Sequence, residues 1–250
     1  PMEIEIDIAD SSITIPANLQ AGLTRLSATN HGAVEHHVIF ARAHDGLHAA
    51  DVLGVFATDS ATAQTMVDIY PGPAGVGPGA TGVVDVFLPA GEYLAMCVIP
   101  AADGMPHAAK GMFQLVTVTG EAGDVVDAPA PSTIDLTDYD FRLSDAFTGH
   151  GSVLVTNRAR QLHELAIYRE GEGGSLADFM ALAMDPAADP TEFAAHYQAA
   201  GGISPMGPDR TGVVELDLAP GTYVFVCFVP DPTDGLPHAM HGMVKEVVVD

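Results

Sequence analysis

"TGVVDVFLPAGEYLAMC" (Thr81–Cys97) and "TGVVELDLAPGTYVFVC" (Thr211–Cys227) align without a gap at a fixed offset of 130 residues. The likeness extends outward in both directions. Upstream, "ATNHGAVEHHVIF" lies over "VTNRARQLHELAI", pairing Asn30 with Asn157 and His36 with His163. Downstream, "DGMPHAAKGM" lies over "DGLPHAMHGM", pairing His107 with His238 and Met112 with Met243. The order Asn, His, Cys, His, Met is therefore written twice. A unit this long is a duplicated domain rather than a solenoid repeat. The proline-rich "VVDAPAPSTID" between the copies reads as a linker centred near Ala128 to Ser132. The expected domains are residues 1–127 and 128–250.

Within each copy the short-range pattern is β. "MEIEIDI" alternates Ile4, Ile6 and Ile8 with Glu3, Glu5 and Asp7, the period of a half-buried strand. "GEYLAMC" places Tyr93, Ala95 and Cys97 on one face and Leu94 and Met96 on the other, and "GTYVFVC" repeats this with Tyr223, Phe225 and Cys227. Short strands separated by Gly and Pro turns predict an all-β sandwich in each half. Helices are expected only as short insertions. "GSLADFMALAMDP" offers Ser175 as a cap, an apolar face of Leu176, Phe179, Met180 and Ala183, and a stop at Pro186. "TEFAAHYQAAGG" is expected to end on its glycines. "LHAADVLGVFATD" is a shorter, less clear insertion in the first half.

The chain has 250 residues, 48% of them apolar, enough for two cored domains. No apolar run is long enough for a membrane-spanning helix, so membrane insertion is not expected. No leader is visible, and the opening "PMEIEID" reads as a trimmed start. A formal charge of −24 repels nucleic-acid phosphates and anionic lipid. It favours a basic partner, or simply solubility. Two cysteines in equivalent strands of separate cores do not suit a disulfide.

His, Cys, His and Met in order are soft and borderline metal ligands. A thiolate and two imidazoles in a plane, with a weak axial thioether, accept both oxidation states of copper. Taken singly, a buried Cys or Met is a packing residue; the ordered set occurring twice is what favours a site. "EHHVIF" offers both His36 and His37; the repeat favours His36, and strand alternation turns His37 away. His241 stands where the first copy has Lys110 and is read as a loop residue, with a fifth ligand or an electron-entry edge as alternatives. Met105 and Met240 are read as packing, and His31, His44, His48, His150 and His196 show no ligand spacing.

On these motifs the sequence resembles the cupredoxin, or blue copper, family along nearly its whole length. The resemblance implies two tandem Greek-key β-sandwich cupredoxin-like domains with short helical insertions. It places the metal ligands on His36, Cys97, His107 and Met112, and on His163, Cys227, His238 and Met243. It implies one type 1 copper per domain, the second domain being the stronger candidate, and an extracytoplasmic electron carrier, secreted or periplasmic, with a redox partner protein. The nine and ten residues from Cys to His resemble the long loop of copper nitrite reductases, and Phe113 and Val244 replace a glycine often found after the methionine. Two-domain relatives of this kind form symmetric trimers, an analogy only, so the oligomeric state stays open. Cys97 lies between Met96 and Val98, and Cys227 between Val226 and Phe228. With no His-Cys-His and no His-x-His to hold a catalytic copper, the chain is expected not to be an enzyme. The alternatives are a metal-free cupredoxin-like binding or structural module and a copper-sequestering protein.

Overall fold

The computed structural model describes every residue except 57, 122–129, 186–187 and 189, with no side-chain description at 60, 61, 190 and 191. The first half contains β1 (Met2–Ala9), β2 (Ser12–Thr14), β3 (Asn18–Gln20), β4 (Gly22–Asn30), β5 (Ile39–Ala43), α1 (Ala49–Phe56), α2 (Ser60–Gln64), β6 (Val67–Tyr70), β7 (Thr81–Leu88), β8 (Gly91–Met96) and β9 (Phe113–Thr119). The second contains β10 (Ser132–Thr137), β11 (Asp140–Leu143), β12 (His150–Asn157), β13 (His163–Glu170), α3 (Leu176–Met184), α4 (Pro190–His196), β14 (Tyr197–Met206), β15 (Thr211–Asp217), β16 (Gly221–Val226) and β17 (Val244–Val249). Both halves are Greek-key β-sandwiches. In the first, strands β2-β1-β4-β7 pack on β3-β9-β8-β5-β6; in the second, β11-β10-β12-β15 pack on β14-β13-β16-β17.

The alternating residues do what their period requires. Ile4, Ile6 and Ile8 join Tyr93, Ala95 and Cys97 in the first core, while Leu94 and Met96 point outward into a separate cluster. Tyr223, Phe225 and Cys227 enter the second core, and Val224 and Val226 face away from it. Each buried aliphatic or aromatic side chain here contributes about 1.5–3 kcal/mol of burial. Each strand pair is also latched by a tyrosine reaching back four residues. Tyr93 Oη donates to the Pro89 carbonyl at 2.7 Å and Tyr223 Oη to the Ala219 carbonyl at 2.6 Å.

The helical insertions cover the outward faces. Ser175 caps α3 by accepting from the Asp178 N–H at 3.1 Å, and Phe179 is buried against Tyr168, Tyr197 and Phe228. The expected stop at Pro186 lies outside the described residues. "TEFAAHYQAAGG" departs from expectation: α4 stops at His196 and the chain enters β14 at Tyr197, so the glycines lie within a strand. The reason is pairing with β13, whose register shifts on either side of Leu165 and Ala166 accommodate Gly201 and Gly202 at positive φ. The expected linker lies partly outside the described residues, at 128 and 129, and Ser132, expected as its end, already begins β10.

The two sandwiches are fused. Strand β7 pairs antiparallel with β15, joining one sheet of each half into a single eight-stranded sheet. Val84 faces Val214, its own repeat counterpart, so the pairing lies on a pseudo-twofold axis. Pro73 likewise bridges Ile203, its counterpart at the same offset. Around it the Ala74 N–H donates to the Gly202 carbonyl, and the Ser204 N–H to the Gly72 carbonyl. Gly75, at φ +60°, permits this approach, because a Cβ there would sit 2.3 Å from the Gly201 carbonyl oxygen. Arg25 of the first half holds Asp85 at 2.7 Å and reaches Glu215 of the second at 3.0 Å. Among the described residues no helix is long and apolar enough to cross a membrane.

Candidate metal centres

Three segments converge at the same end of each sandwich. Asn30 ends β4 fully buried; its amide donates to the Val34 and Val76 carbonyls at 2.7 and 2.8 Å and accepts from the Gly32 N–H at 2.8 Å. Asn157 repeats this with the Gln161 and Met206 carbonyls at 2.8 and 2.9 Å and the Ala159 N–H at 3.0 Å. These staples fix the loop leading to His36 and His163. Cys97 and Cys227 each follow the last residue of a central strand, β8 or β16. The second histidine opens a single 3₁₀ turn, His107–Lys110 or His238–His241. Gly111 and Gly242 close it at φ +101° and +102°, a left-handed cap that glycine adopts without strain. The Cys97 N–H donates to the Met112 carbonyl at 3.2 Å and the Cys227 N–H to the Met243 carbonyl at 3.1 Å.

The result is two matching triangles. Cys97 Sγ lies 3.8 Å from His36 Nδ1 and 3.5 Å from His107 Nδ1. Cys227 Sγ lies 3.8 Å from His163 Nδ1 and 3.4 Å from His238 Nδ1. In each triad the ligand-type atoms lie within 4.8 Å of one another, and all six residues are buried. Metal–sulfur and metal–nitrogen bonds of ~2.3 and ~2.0 Å in a trigonal plane would separate S and N by about 3.7 Å. The donor set thus fits a transition-metal ion at both places. Met112 and Met243, fully buried, share the core cluster of their own cysteine.

Burial sets the charge states. It pushes the Cys97 thiol up to about 11 and Cys227 well above the ordinary thiol range. It lowers His36, His107 and His238, and holds His163 down at about 4 with help from the neighbouring His238. A cation entering either triangle therefore meets neutral imidazoles and displaces a thiol proton.

Structure separates the adjacent histidines as strand alternation requires. His37 turns away from Cys97 and its Nε2 accepts from the Val98 N–H at 3.1 Å. Its counterpart Glu164 accepts from the Phe228 N–H at 2.9 Å, so each fastens the residue following its cysteine. Desolvation holds His37 at about 3 and raises Glu164 to about 7. His241 is a loop residue paired with Asp234 at 3.2 Å. Met105 and Met240 correct the sequence reading: they are half exposed instead of packed, Met105 just ahead of the first 3₁₀ turn and Met240 within the second. His31, His44, His48 and His150 pair with single carboxylates. Cys97 and Cys227 are free thiols in separate cores.

Several residues around the triangles escaped the sequence reading. Asp10 Oδ1 lies 3.4 Å from His36 Nε2, and Asp138 Oδ1 lies 3.7 Å from His163 Nε2. Around His238 stand Gln161, Asp231 and Tyr139. Glu35, beside His36, accepts from Tyr168 Oη of the other domain at 2.9 Å. Leu162, beside His163, packs on the outward face of the first domain. The likeness of "EHH" to "LHE" in the repeat pointed to the Glu164–His37 equivalence; no spacing pointed to Asp231.

The fold and the doubled His–Cys–His groups fit two tandem cupredoxin-like domains. No protein-family model matches the chain, and no curated protein matches it. Among solved structures, it is similar to an auracyanin from Roseiflexus castenholzii at 18% identity, covering 48% of this chain and 98% of that one, TM-score 0.32. It is also similar to the blue copper oxidase of Nitrosomonas europaea (12% identity, 99% and 86% covered, TM-score 0.27). The copper nitrite reductase of Nitrosomonas europaea aligns at 12% identity with 100% and 93% covered, TM-score 0.25. These neighbours correct the expectation that the chain is not an enzyme, since two that align along its whole length are a copper oxidase and a copper reductase. The lack of His-Cys-His and His-x-His in the chain is too narrow a ground for that exclusion.

Proposed function

We propose that the protein passes single electrons through two type 1 copper centres, one per domain, in an extracytoplasmic compartment. His36, Cys97, His107 and Met112 would hold the first metal, and His163, Cys227, His238 and Met243 the second. Copper bound there would supply a one-electron couple. The chain's own part is to bind through two Nδ1 atoms and a thiolate, to surrender the thiol proton, and to keep water out with the cores around Met112 and Met243. The two triangles, whose sulfur–nitrogen edges agree within 0.1 Å, are the observation that supports this reading.

A charge of −24 favours a redox partner with a basic docking face. The test is to load purified protein with Cu(II) and record the visible spectrum. An intense thiolate-to-copper band saturating at two equivalents supports the reading, and a colourless protein that retains no stoichiometric copper refutes it. A reversible redox wave separates electron transfer from copper sequestration, which would give tight Cu(I) binding without one.

A further inference from the structure

We infer that the two centres, on the copper reading above, are poised at different potentials, with Asp231 holding the second below the first. The triangles agree in their sulfur–nitrogen distances; the domains differ beside the cysteine, where Glu164 stands for His37, and around the second histidine. Part of its charged surroundings is duplicated: Asp10, beside His107, corresponds to Asp138, beside His238. Two positions are not. Asp231 has no acidic counterpart, because Ala101 occupies that place, and Lys110 is replaced by His241.

Asp231 Oδ2 lies 3.9 Å from His238 Nε2, with its side chain only 2% exposed. It accepts from Tyr139 Oη and, at 2.7 Å, from the Thr233 N–H. Both partners donate, the pattern that stabilises a carboxylate. A buried negative charge beside a ligand imidazole is little screened by salt and favours the more positive, oxidised metal. Gln161 Oε1 adds to this by lying 2.9 Å from His238 Nε2. With the Nε2 hydrogen engaged there, Nδ1 is left free for the metal and the ring becomes a stronger donor. In the first domain Val34 stands in place of Gln161 and Ser11 in place of Tyr139. Among the described residues no side chain engages His107 Nε2. Lys110, 40% exposed and tied to Asp103 at 2.7 Å, adds a positive charge on that side, small after solvent screening. Beside its second histidine the second centre thus has the carboxylate of Asp231, absent from the first, and lacks the lysine that the first has at Lys110.

Asp231 is thus a positioning and tuning residue, and a singly reduced protein keeps its electron at the first centre. Voltammetry of the copper-loaded protein tests this. Two one-electron waves are expected, the lower one lost in Cys227→Ser and the upper one lost in Cys97→Ser. Asp231→Asn should raise the lower wave by a tenfold change in the reduction equilibrium, about 59 mV for one electron, leave the upper wave in place and keep the visible band. Asp231→Glu should restore most of the lowering. Coincident waves in the two cysteine variants, or an Asp231→Asn wave that does not move, overturn the inference while the visible band preserves the copper reading. Absence of the band defeats both.

Discussion

The first and second centres share a skeleton and differ in their cover. The asparagine staple, the thiol at the strand end, the 3₁₀ turn and its glycine cap recur with corresponding hydrogen bonds agreeing within 0.2 Å. Around the second histidine, by contrast, Val34, Ser11, Ala101 and Lys110 in one copy become Gln161, Tyr139, Asp231 and His241 in the other. The residues that set distances within the triangle are the same in both copies, and so is the aspartate beside the first histidine (Asp10 or Asp138), while those around the second histidine differ. The loop of the second copy is also one residue longer, with ten residues between Cys and His instead of nine.

The comparison can be broken most forcefully at the thiols. Cys97→Ser and Cys227→Ser should each remove one of two equivalents of bound copper and half of the thiolate band. Loss of both centres from either change, read by metal analysis, would mean that the triangles do not act separately. Next are the staples. Asn30→Ala or Asn157→Ala leaves buried carbonyls unpaired and should cost about 3 kcal/mol in denaturant unfolding of the metal-free protein. Equal losses would confirm the shared skeleton, and a negligible one would show that the loop holds itself.

His37 and Glu164 separate the halves by pH. His37, held at about 3, contributes stability above pH 6.5 that is lost as pH falls toward 3. Glu164, raised to about 7, contributes stability below pH 4.5 that is lost as pH rises through 7. Glu164→Gln keeps an acceptor for the Phe228 N–H and should therefore stabilise metal-free protein by on the order of 2 kcal/mol at pH 8 and little at pH 4. A thermal melt series showing the same gain at both values would contradict this. The smallest effect is expected at the turn caps, where Gly111→Ala and Gly242→Ala should each cost about 1 kcal/mol through the left-handed φ. A clear difference between them would expose unequal strain.

Much of this was legible in the sequence because period and order are local. Alternation around Cys97 and Cys227 placed the thiols in the cores, and the repeat chose His36 over His37. What could not be read depends on contacts between distant segments. Fusion through Val84 and Val214 is decided by which strand edges remain open once both sandwiches form. The Asp231–Tyr139 bond joins residues 92 apart with no spacing to announce it. The glycines of β14 resembled a helix stop because a strand bulge and a helix cap both require positive φ.

The most direct measurement is X-ray absorption at the copper edge on Cys97→Ser and Cys227→Ser proteins, each loaded with one equivalent. The account predicts, in both, one short sulfur neighbour and two imidazole nitrogens around every copper. A copper with no short sulfur in either protein would contradict it.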